Sequence, residues 1–113
     1  MLTSALRQEI TQLEADFCSA LSDPTRLLIL YALREGSRNV NDLANELVIT
    51  QPNTSRHLKA LRERGLVLST KQGTTVTYQL ADPRILDAID LLRTIMRERL
   101  AYRAGLMEEI VHV

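Results

Sequence analysis

The first part of the chain carries an apolar stripe with helical spacing. Leu6, Ile10, Leu13, Phe17 and Leu21 follow one another at intervals of four, three, four and four residues. These intervals keep the side chains on one face of an α-helix about five turns long. The pattern therefore predicts a long N-terminal helix whose apolar face needs a partner.

A second apolar stripe runs along the last part of the chain. Asp82 followed by Pro83 is typical of a helix start, because Asp caps free backbone N–H groups and Pro fits the first turn. Gly105 is expected to bend or end this helix. The stripe consists of Ile85, Ile89, Leu92, Met96 and Leu100, with Leu86, Leu91 and Ile95 beside it.

Between the two stripes, three shorter helices are marked by residues that favour helix ends. Asp23-Pro24 starts the first, Asn39 caps a short second helix, and Thr50 caps a third helix that Gly65 ends. Only Val48-Ile49 separates the second helix from the third. The inward face of the third helix is predicted from side chains at helical spacing: Thr54, Leu58 and Leu61.

Two segments rich in β-branched residues follow and predict a hairpin. The strands are Leu66–Lys71 and Thr75–Leu80, joined by the turn Gln72-Gly73-Thr74. Two helices linked by a tight turn and followed by a hairpin form the winged helix-turn-helix plan. We therefore predict a mainly α, single-domain fold over 1–113: a helix-turn-helix at 39–65, a two-stranded wing at 66–81, and long dimerisation helices at 1–22 and 82–113.

The two long helices predict association with a second copy of the chain. A central region of about 60 residues is too small to cover both apolar faces, so we expect a homodimer to bury them. The predicted interface residues are Leu6, Ile10, Leu13, Phe17, Ile89, Leu92, Met96 and Leu100.

Composition limits the class of protein. Hydrophobic residues make up 45% and charged residues 25% of the 113 residues, which is typical of a globular domain. No apolar run approaches the length of a membrane span, and the first ten residues lack an apolar signal core. We therefore expect no membrane segment and a cytoplasmic location.

The net charge is zero, but the charges are unevenly distributed. Residues 51–81 hold five Arg and Lys against Glu63 alone, for a net charge of +4, whereas 1–50 carry −3 and 82–113 carry −1. A basic segment between acidic flanks indicates a surface that meets a polyanion, although a solvated basic helix has the same composition.

Two stretches carry a more specific signal. Ala20–Leu30 reads ALSDPTRLLIL, and Gln51–Val67 reads QPNTSRHLKALRERGLV, with a Ser-x-His-Leu core and a Gly-Leu-Val exit. In this order they resemble the ArsR/SmtB family of bacterial and archaeal winged-helix repressors, and the similarity covers roughly residues 15–82. The resemblance implies a homodimeric repressor that leaves its operator when an effector binds.

The third predicted helix carries side chains suited to DNA. Gln and Asn form paired hydrogen bonds with the edge of adenine, and Arg forms them with guanine. Cationic side chains and helix N-termini are suited to bind phosphates. Two interpretations of His57 stay open: an exposed contact, or a buried histidine that holds the helix against the domain. The predicted DNA contacts are Thr50, Gln51, Asn53, Thr54, Ser55, Arg56, His57, Lys59 and Arg62, with Lys71, Gln72 and Thr74 in the wing.

The wing departs from the family pattern. Family wings tend to carry arginines at the tip, whereas this tip has Lys71, Gln72, Thr74 and Thr75. Two possibilities therefore stay open for the wing: Lys71 contacts a phosphate, or the wing makes no contact with DNA.

The common metal sites of the family are not matched either. Where metal sensors have Cys-Val-Cys-Asp-Leu, Asn39–Leu43 reads NVNDL, and amides bind soft metal ions poorly. A last-helix site is also lost, because Arg84 and Ile95 replace its histidines. We predict no metal and no cofactor, and the effector is unknown. Cys18 is either an inert packed thiol or an oxidisable one, and His112 is expected to play no part.

The pattern favours a sequence-specific DNA-binding repressor that binds double-stranded DNA as a homodimer at an imperfect palindrome. The alternative is a winged-helix protein-interaction module that does not read DNA. Such a module is expected to show apolar or aromatic anchors where Gln51, Asn53 and Arg56 stand. No nucleophile–base pair, Gly-rich phosphate loop or paired carboxylates indicate an enzyme.

Overall fold

Five α-helices and three β-strands make up the part of the chain that the structure describes. The computed structural model covers residues 1–112, and side chains are described for residues 1–110. The chain divides into a first unit, Met1–Asp82, and a second unit that begins at Pro83. The elements are α1 (Ser4–Leu13), α2 (Pro24–Arg34), β1 (Arg38–Asn39), α3 (Val40–Leu47), α4 (Gln51–Glu63), β2 (Val67–Gln72), β3 (Thr75–Leu80) and α5 (Arg84–His112).

The N-terminal helix is less regular than predicted. After α1 the backbone forms a π-turn over Glu14–Cys18, closed by the Ser19 N–H donating to the Glu14 carbonyl at 3.0 Å. A short 3₁₀ turn, Ala20–Ser22, follows. The Ser19 hydroxyl donates to the Ala15 carbonyl at 2.8 Å, and such side-chain bonds to the backbone compete with regular helix bonds.

The predicted caps of α2 and α3 are confirmed. Asp23 Oδ1 accepts from the N–H of Thr25 at 2.7 Å, and Asn39 Oδ1 accepts from the N–H of Asp42 at 2.8 Å. Each side chain satisfies a backbone donor that has no partner inside the helix. Asn39 is therefore the N-cap of α3.

The predicted hairpin is confirmed, and the sheet has one strand more than expected. Gln72 pairs with Thr75, so the connection between β2 and β3 is only two residues long. Gly73 lies there at a φ of +62°, which a glycine adopts without steric penalty. The two-residue strand β1 pairs antiparallel with β3, and the strand order is β1-β3-β2.

The core of the first unit is built by α2, α3, α4 and the start of β2. Its large side chains are almost entirely removed from solvent, and each contributes roughly 1.5–3 kcal/mol to folding. This core holds the outer face of α4 in a fixed position. The members are Ile29, Leu30, Leu33, Leu43, Leu58, Leu61, Leu66 and Val67.

The connection between α3 and α4 contains a strained residue. Val48 lies in the left-handed region, with φ 56° and ψ 49°, and is 88% exposed. A β-branched side chain is unfavourable in this conformation, which glycine adopts most readily. The tight turn that the sequence predicts therefore forms at an energetic cost.

The second unit contains the single helix α5. It begins at Arg84 and continues past Gly105 to His112, so Gly105 does not end the helix, and a bend at Gly105 stays a prediction. An interior glycine costs only about 1 kcal/mol relative to alanine, which favourable neighbours offset. No helix in the described part of the chain, α5 included, is apolar over a sufficient length to cross a membrane.

Candidate nucleic-acid interface

Helix α4 begins at the residue that the sequence indicates. The Thr50 hydroxyl oxygen accepts from the N–H of Asn53 at 3.2 Å, and the Thr50 carbonyl accepts from the N–H of Thr54 at 3.0 Å. Pro52 stands in the first turn, where a missing N–H costs nothing. The first turn of α4 is thus fixed and lies at the surface.

The inward face of α4 is as predicted. Thr54, Leu58 and Leu61 are completely buried. The Thr54 hydroxyl donates to the Thr50 carbonyl at 2.8 Å, so its polar group is satisfied inside the protein. The inclusion of Thr54 among the DNA contacts is therefore wrong, because the residue has no surface to offer.

The outward face of α4 is polar and basic. Arg56 donates from Nη2 to Asn53 Oδ1 one turn earlier, which links the two side chains best suited to base edges. Asn53 is half-buried, and no large apolar side chain lies on this face. The exposed residues of α4 that were predicted to contact DNA are Gln51, Ser55, Arg56, Lys59 and Arg62, next to the exposed cap Thr50.

His57 is the buried histidine of the two interpretations considered for it. It is only 7% exposed, and its Nδ1 accepts from Nε of Arg26 on α2 at 3.2 Å. The structure therefore corrects its assignment to the DNA contacts: the ring links α4 to α2. With Nδ1 as the acceptor, the ring proton is assigned to Nε2.

Arg26 is the functional neighbour that sequence reasoning missed. Its Nε donates to His57, and its Nη1 donates to the Ala20 carbonyl at 3.5 Å. The only sequence signal was its position in the Asp-Pro-Thr-Arg stretch, directly after the cap of α2. Its side chain thus spans from the turn before α2 to α4.

Asp23 stands beside this contact. Partial desolvation acts to raise the pKa of its carboxyl group, but two backbone N–H donors and the electrostatic influence of His57 and Arg26 outweigh it. The pKa of Asp23 is therefore held below its usual value. The cap is ionised at neutral pH, as a charged acceptor at a helix N-terminus should be.

The wing presents its predicted residues to solvent. Lys71, Gln72 and Thr74 are all exposed at the tip of the hairpin. Arg62 Nη1 donates to the Ser69 hydroxyl at 3.4 Å and so connects the end of α4 to β2. This bond holds the start of the wing against the C-terminal part of α4.

The predicted dimer residues are mostly uncovered within a single chain. In the first unit Leu6, Ile10 and Leu13 are exposed and Phe17 is half-buried. In the second unit Ile89 is half-buried, whereas Leu92, Met96 and Leu100 are exposed, Leu92 to 64%. Exposed apolar stripes of this length typically mark protein interfaces.

The remaining candidate sites are not assembled by the described residues. Cys18 is a free, exposed thiol in the π-turn, so it does not pack inside the single chain. Among the described residues, no three His, Cys, Asp or Glu side chains come together to hold a metal ion. The side chain of His112 lies outside the described residues.

Comparisons with known proteins agree with this geometry. Residues 23–69 match the family model described as "Bacterial regulatory protein, arsR family". The chain is 39% identical over 97 residues to the HTH-type transcriptional regulator CmtR of Mycobacterium tuberculosis, covering 85% of this chain and 80% of CmtR. It is 37% identical over 86 residues to the transcriptional repressor SmtB of the same species, covering 73% of this chain and 64% of SmtB.

A solved structure extends the similarity to the three-dimensional fold. The homodimeric winged helix-turn-helix DNA-binding domain Mb0332 of Mycobacterium bovis superposes with a TM-score of 0.75 at 27% identity. The match covers 89% of this chain and 93% of that domain. The predicted fold class is thereby confirmed.

Proposed function

Since the chain belongs to the arsR family of bacterial regulatory proteins, we propose that it represses transcription by binding an imperfect palindromic operator. As a member of this family it is a winged helix-turn-helix transcriptional regulator that binds DNA as a homodimer, and it is not an enzyme. A two-fold dimer presents two α4 helices to successive major grooves, about 34 Å apart. An operator with two related half-sites matches this symmetry.

The outward face of α4 is the observation that carries the proposal. This helix is anchored by buried Leu58 and Leu61, and its exposed side chains are polar, charged or small. A protein-docking surface would present apolar or aromatic anchors at its centre. The distribution of side chains therefore favours DNA over the alternative of a protein-interaction module.

The residues divide into two roles. Gln51 and Arg56, with Asn53 beside them, are proposed to contact base edges, because these side chains make paired hydrogen bonds to adenine and guanine. Phosphates are assigned to the cap and to exposed hydroxyl, amide or cationic groups, which fix the position on the duplex but carry little sequence information. This second set is Thr50, Ser55, Lys59, Arg62, Lys71, Gln72 and Thr74.

The dimer is proposed to form through the apolar stripes of α1 and α5. Both stripes are exposed in the single chain, and burial of apolar area is the main favourable contribution to such an association. The proposed place of action is the cytoplasm, where the operator is. Release from the operator is proposed to use an effector other than a metal ion held by paired thiols, since the chain has one cysteine.

Fluorescence anisotropy with the DNA upstream of the protein's own gene tests the proposal. We expect tight binding to this duplex and weak binding to a scrambled duplex of equal composition. Arg56→Ala should reduce the difference between the two, whereas Arg34→Ala, which removes a charge from α2, should leave it unchanged. Equal affinity of the wild-type protein for both duplexes would contradict sequence-specific regulation through this helix.

A further inference from the structure

A small polar recess lies beside Arg26, the residue that donates to His57. It encloses about 230 Å³ between the turn that precedes α2 and the C-terminal half of α4. No step in the proposed reading of DNA uses it. Its walls are formed by Ser19, Ala20, Arg26, Ala60, Glu63 and Arg64.

One wall of the recess is an arginine in a fixed orientation. Arg26 donates from Nε to His57 and from Nη1 to the Ala20 carbonyl, at 3.2 and 3.5 Å. A guanidinium group has five N–H donors, so these two bonds leave donors available. The bonds hold the guanidinium group at the wall of the recess and reduce the entropy that a ligand must remove on binding.

The lining also contains a second arginine, Arg64, with no assigned partner. His57, Ala60 and Arg64 are three and four residues apart, so they share one face of α4 and its C-cap. Among the described residues, Arg64 makes no side-chain hydrogen bond or ion pair. The recess thus joins one oriented guanidinium group and one available guanidinium group.

We propose that this recess binds a small carboxylate monoanion with a short aliphatic chain. Two arginines and Glu63 give the lining a net charge of +1, so the recess attracts an anion. Guanidinium groups form charge-assisted, paired bonds with a carboxylate. The methyl groups of Ala20 and Ala60 offer an apolar contact for a short aliphatic chain.

The site would act on DNA binding through both arginines, and this part of the inference rests on the proposed function. A bound carboxylate neutralises positive charge beside the end of α4, where the DNA phosphates approach. This loss of positive charge weakens operator binding, so the carboxylate serves as a releasing ligand.

Isothermal titration of the wild-type protein with sodium propionate, in the absence of DNA, tests the site directly. We expect saturable binding with one site per chain, and at least tenfold weaker binding by Arg64→Ala. Glu63→Gln should strengthen binding, because it removes a negative charge from the lining; damage to the fold would not do so. Arg62→Ala is the matched control, since that arginine lies outside the recess and should leave propionate binding unchanged.

Two further ligands define the chemical class. Phosphate at neutral pH should bind more weakly than propionate, and propionamide, which has the same shape without the charge, should not bind. No saturable heat with propionate, or an unchanged affinity in Arg64→Ala, would overturn the proposal. So would tighter binding of phosphate than of propionate.

Operator binding is then measured in propionate and in chloride at equal ionic strength. Propionate should lower the affinity of the wild-type protein and leave that of Arg64→Ala unchanged. If operator binding is intact but indifferent to propionate, the releasing role is overturned while the proposed function stands. If the protein does not bind operator at all, the proposed function fails and the titration still decides whether the recess is a site.

Discussion

Arg26 and His57 are 31 positions apart in the chain, and Nε of the arginine donates to Nδ1 of the histidine at 3.2 Å. The contact joins the first turn of α2 to the middle of α4. His57 is buried, whereas its neighbour Arg56 is exposed, so adjacent residues of one helix serve the fold and the proposed DNA surface separately. We therefore expect the position of the proposed DNA surface to depend on the polar contact behind it.

His57→Ala should lower the free energy of unfolding by about 1–3 kcal/mol, because it leaves a cavity and removes the acceptor of Arg26. Urea denaturation at one fixed protein concentration measures the change, since a dimer's stability depends on concentration. Arg56→Ala is the matched control and should stay within about 0.5 kcal/mol of the wild type. A stability of His57→Ala equal to that of the wild type would show that the buried contact is unimportant.

Lys59→Ala should weaken binding to all duplexes alike and reduce the salt dependence of binding. Each phosphate contact contributes a slope of about −0.9 to the plot of log affinity against log salt. The loss of one contact should therefore flatten the slope by about one unit, and Lys59→Arg should preserve it. The measurement is anisotropy over a range of chloride concentrations. A slope unchanged in Lys59→Ala would exclude this side chain from the phosphate contacts.

Asn53 and Arg56 are expected to read bases as a coupled pair, since Asn53 accepts a hydrogen bond from the guanidinium group of Arg56. Arg56→Ala should lower discrimination between operator and random DNA by about 1–3 kcal/mol. Asn53→Ala should lower it in the wild-type background but add little to Arg56→Ala. A double-mutant cycle of operator affinities tests this dependence. Fully additive losses would instead mean that Asn53 contacts a base independently.

Local signals explain what could be predicted from the sequence, and distant pairing explains what could not. The caps Asp23, Asn39 and Thr50 were predictable because each bonds a backbone group two or three residues away. The strand β1 was missed because it has only two residues and pairs with residues far along the chain. The contact between His57 and Arg26 likewise could not be predicted, because only folding brings the two residues together.

Val48→Gly should stabilise the protein by about 1 kcal/mol. The left-handed conformation penalises a residue with a Cβ atom, whereas glycine adopts it freely, although glycine also loses more backbone entropy on folding. Val48→Ala keeps the Cβ atom and should gain less, which makes it the control. Thermal unfolding compares the three proteins. A destabilised Val48→Gly would mean that the exposed valine makes contacts that outweigh the strain, for example in the dimer.

Leu92→Glu combined with Met96→Glu should convert the homodimer into monomers that bind the operator weakly. Both side chains are exposed in the single chain and lie on one face of α5, so charges there would be buried without partners in a dimer. Leu28→Glu introduces the same charge at an exposed leucine of α2, outside either stripe, and should leave the dimer intact. Light scattering gives the mass of each protein, and anisotropy gives its affinity for one half-site and for the full operator. Monomers should bind a single half-site with the affinity of the wild type. Their affinity for the full operator should be only slightly higher, because a single α4 reads one half-site at a time. A doubly substituted protein that remains dimeric would exclude this stripe as the interface and would direct attention to α1.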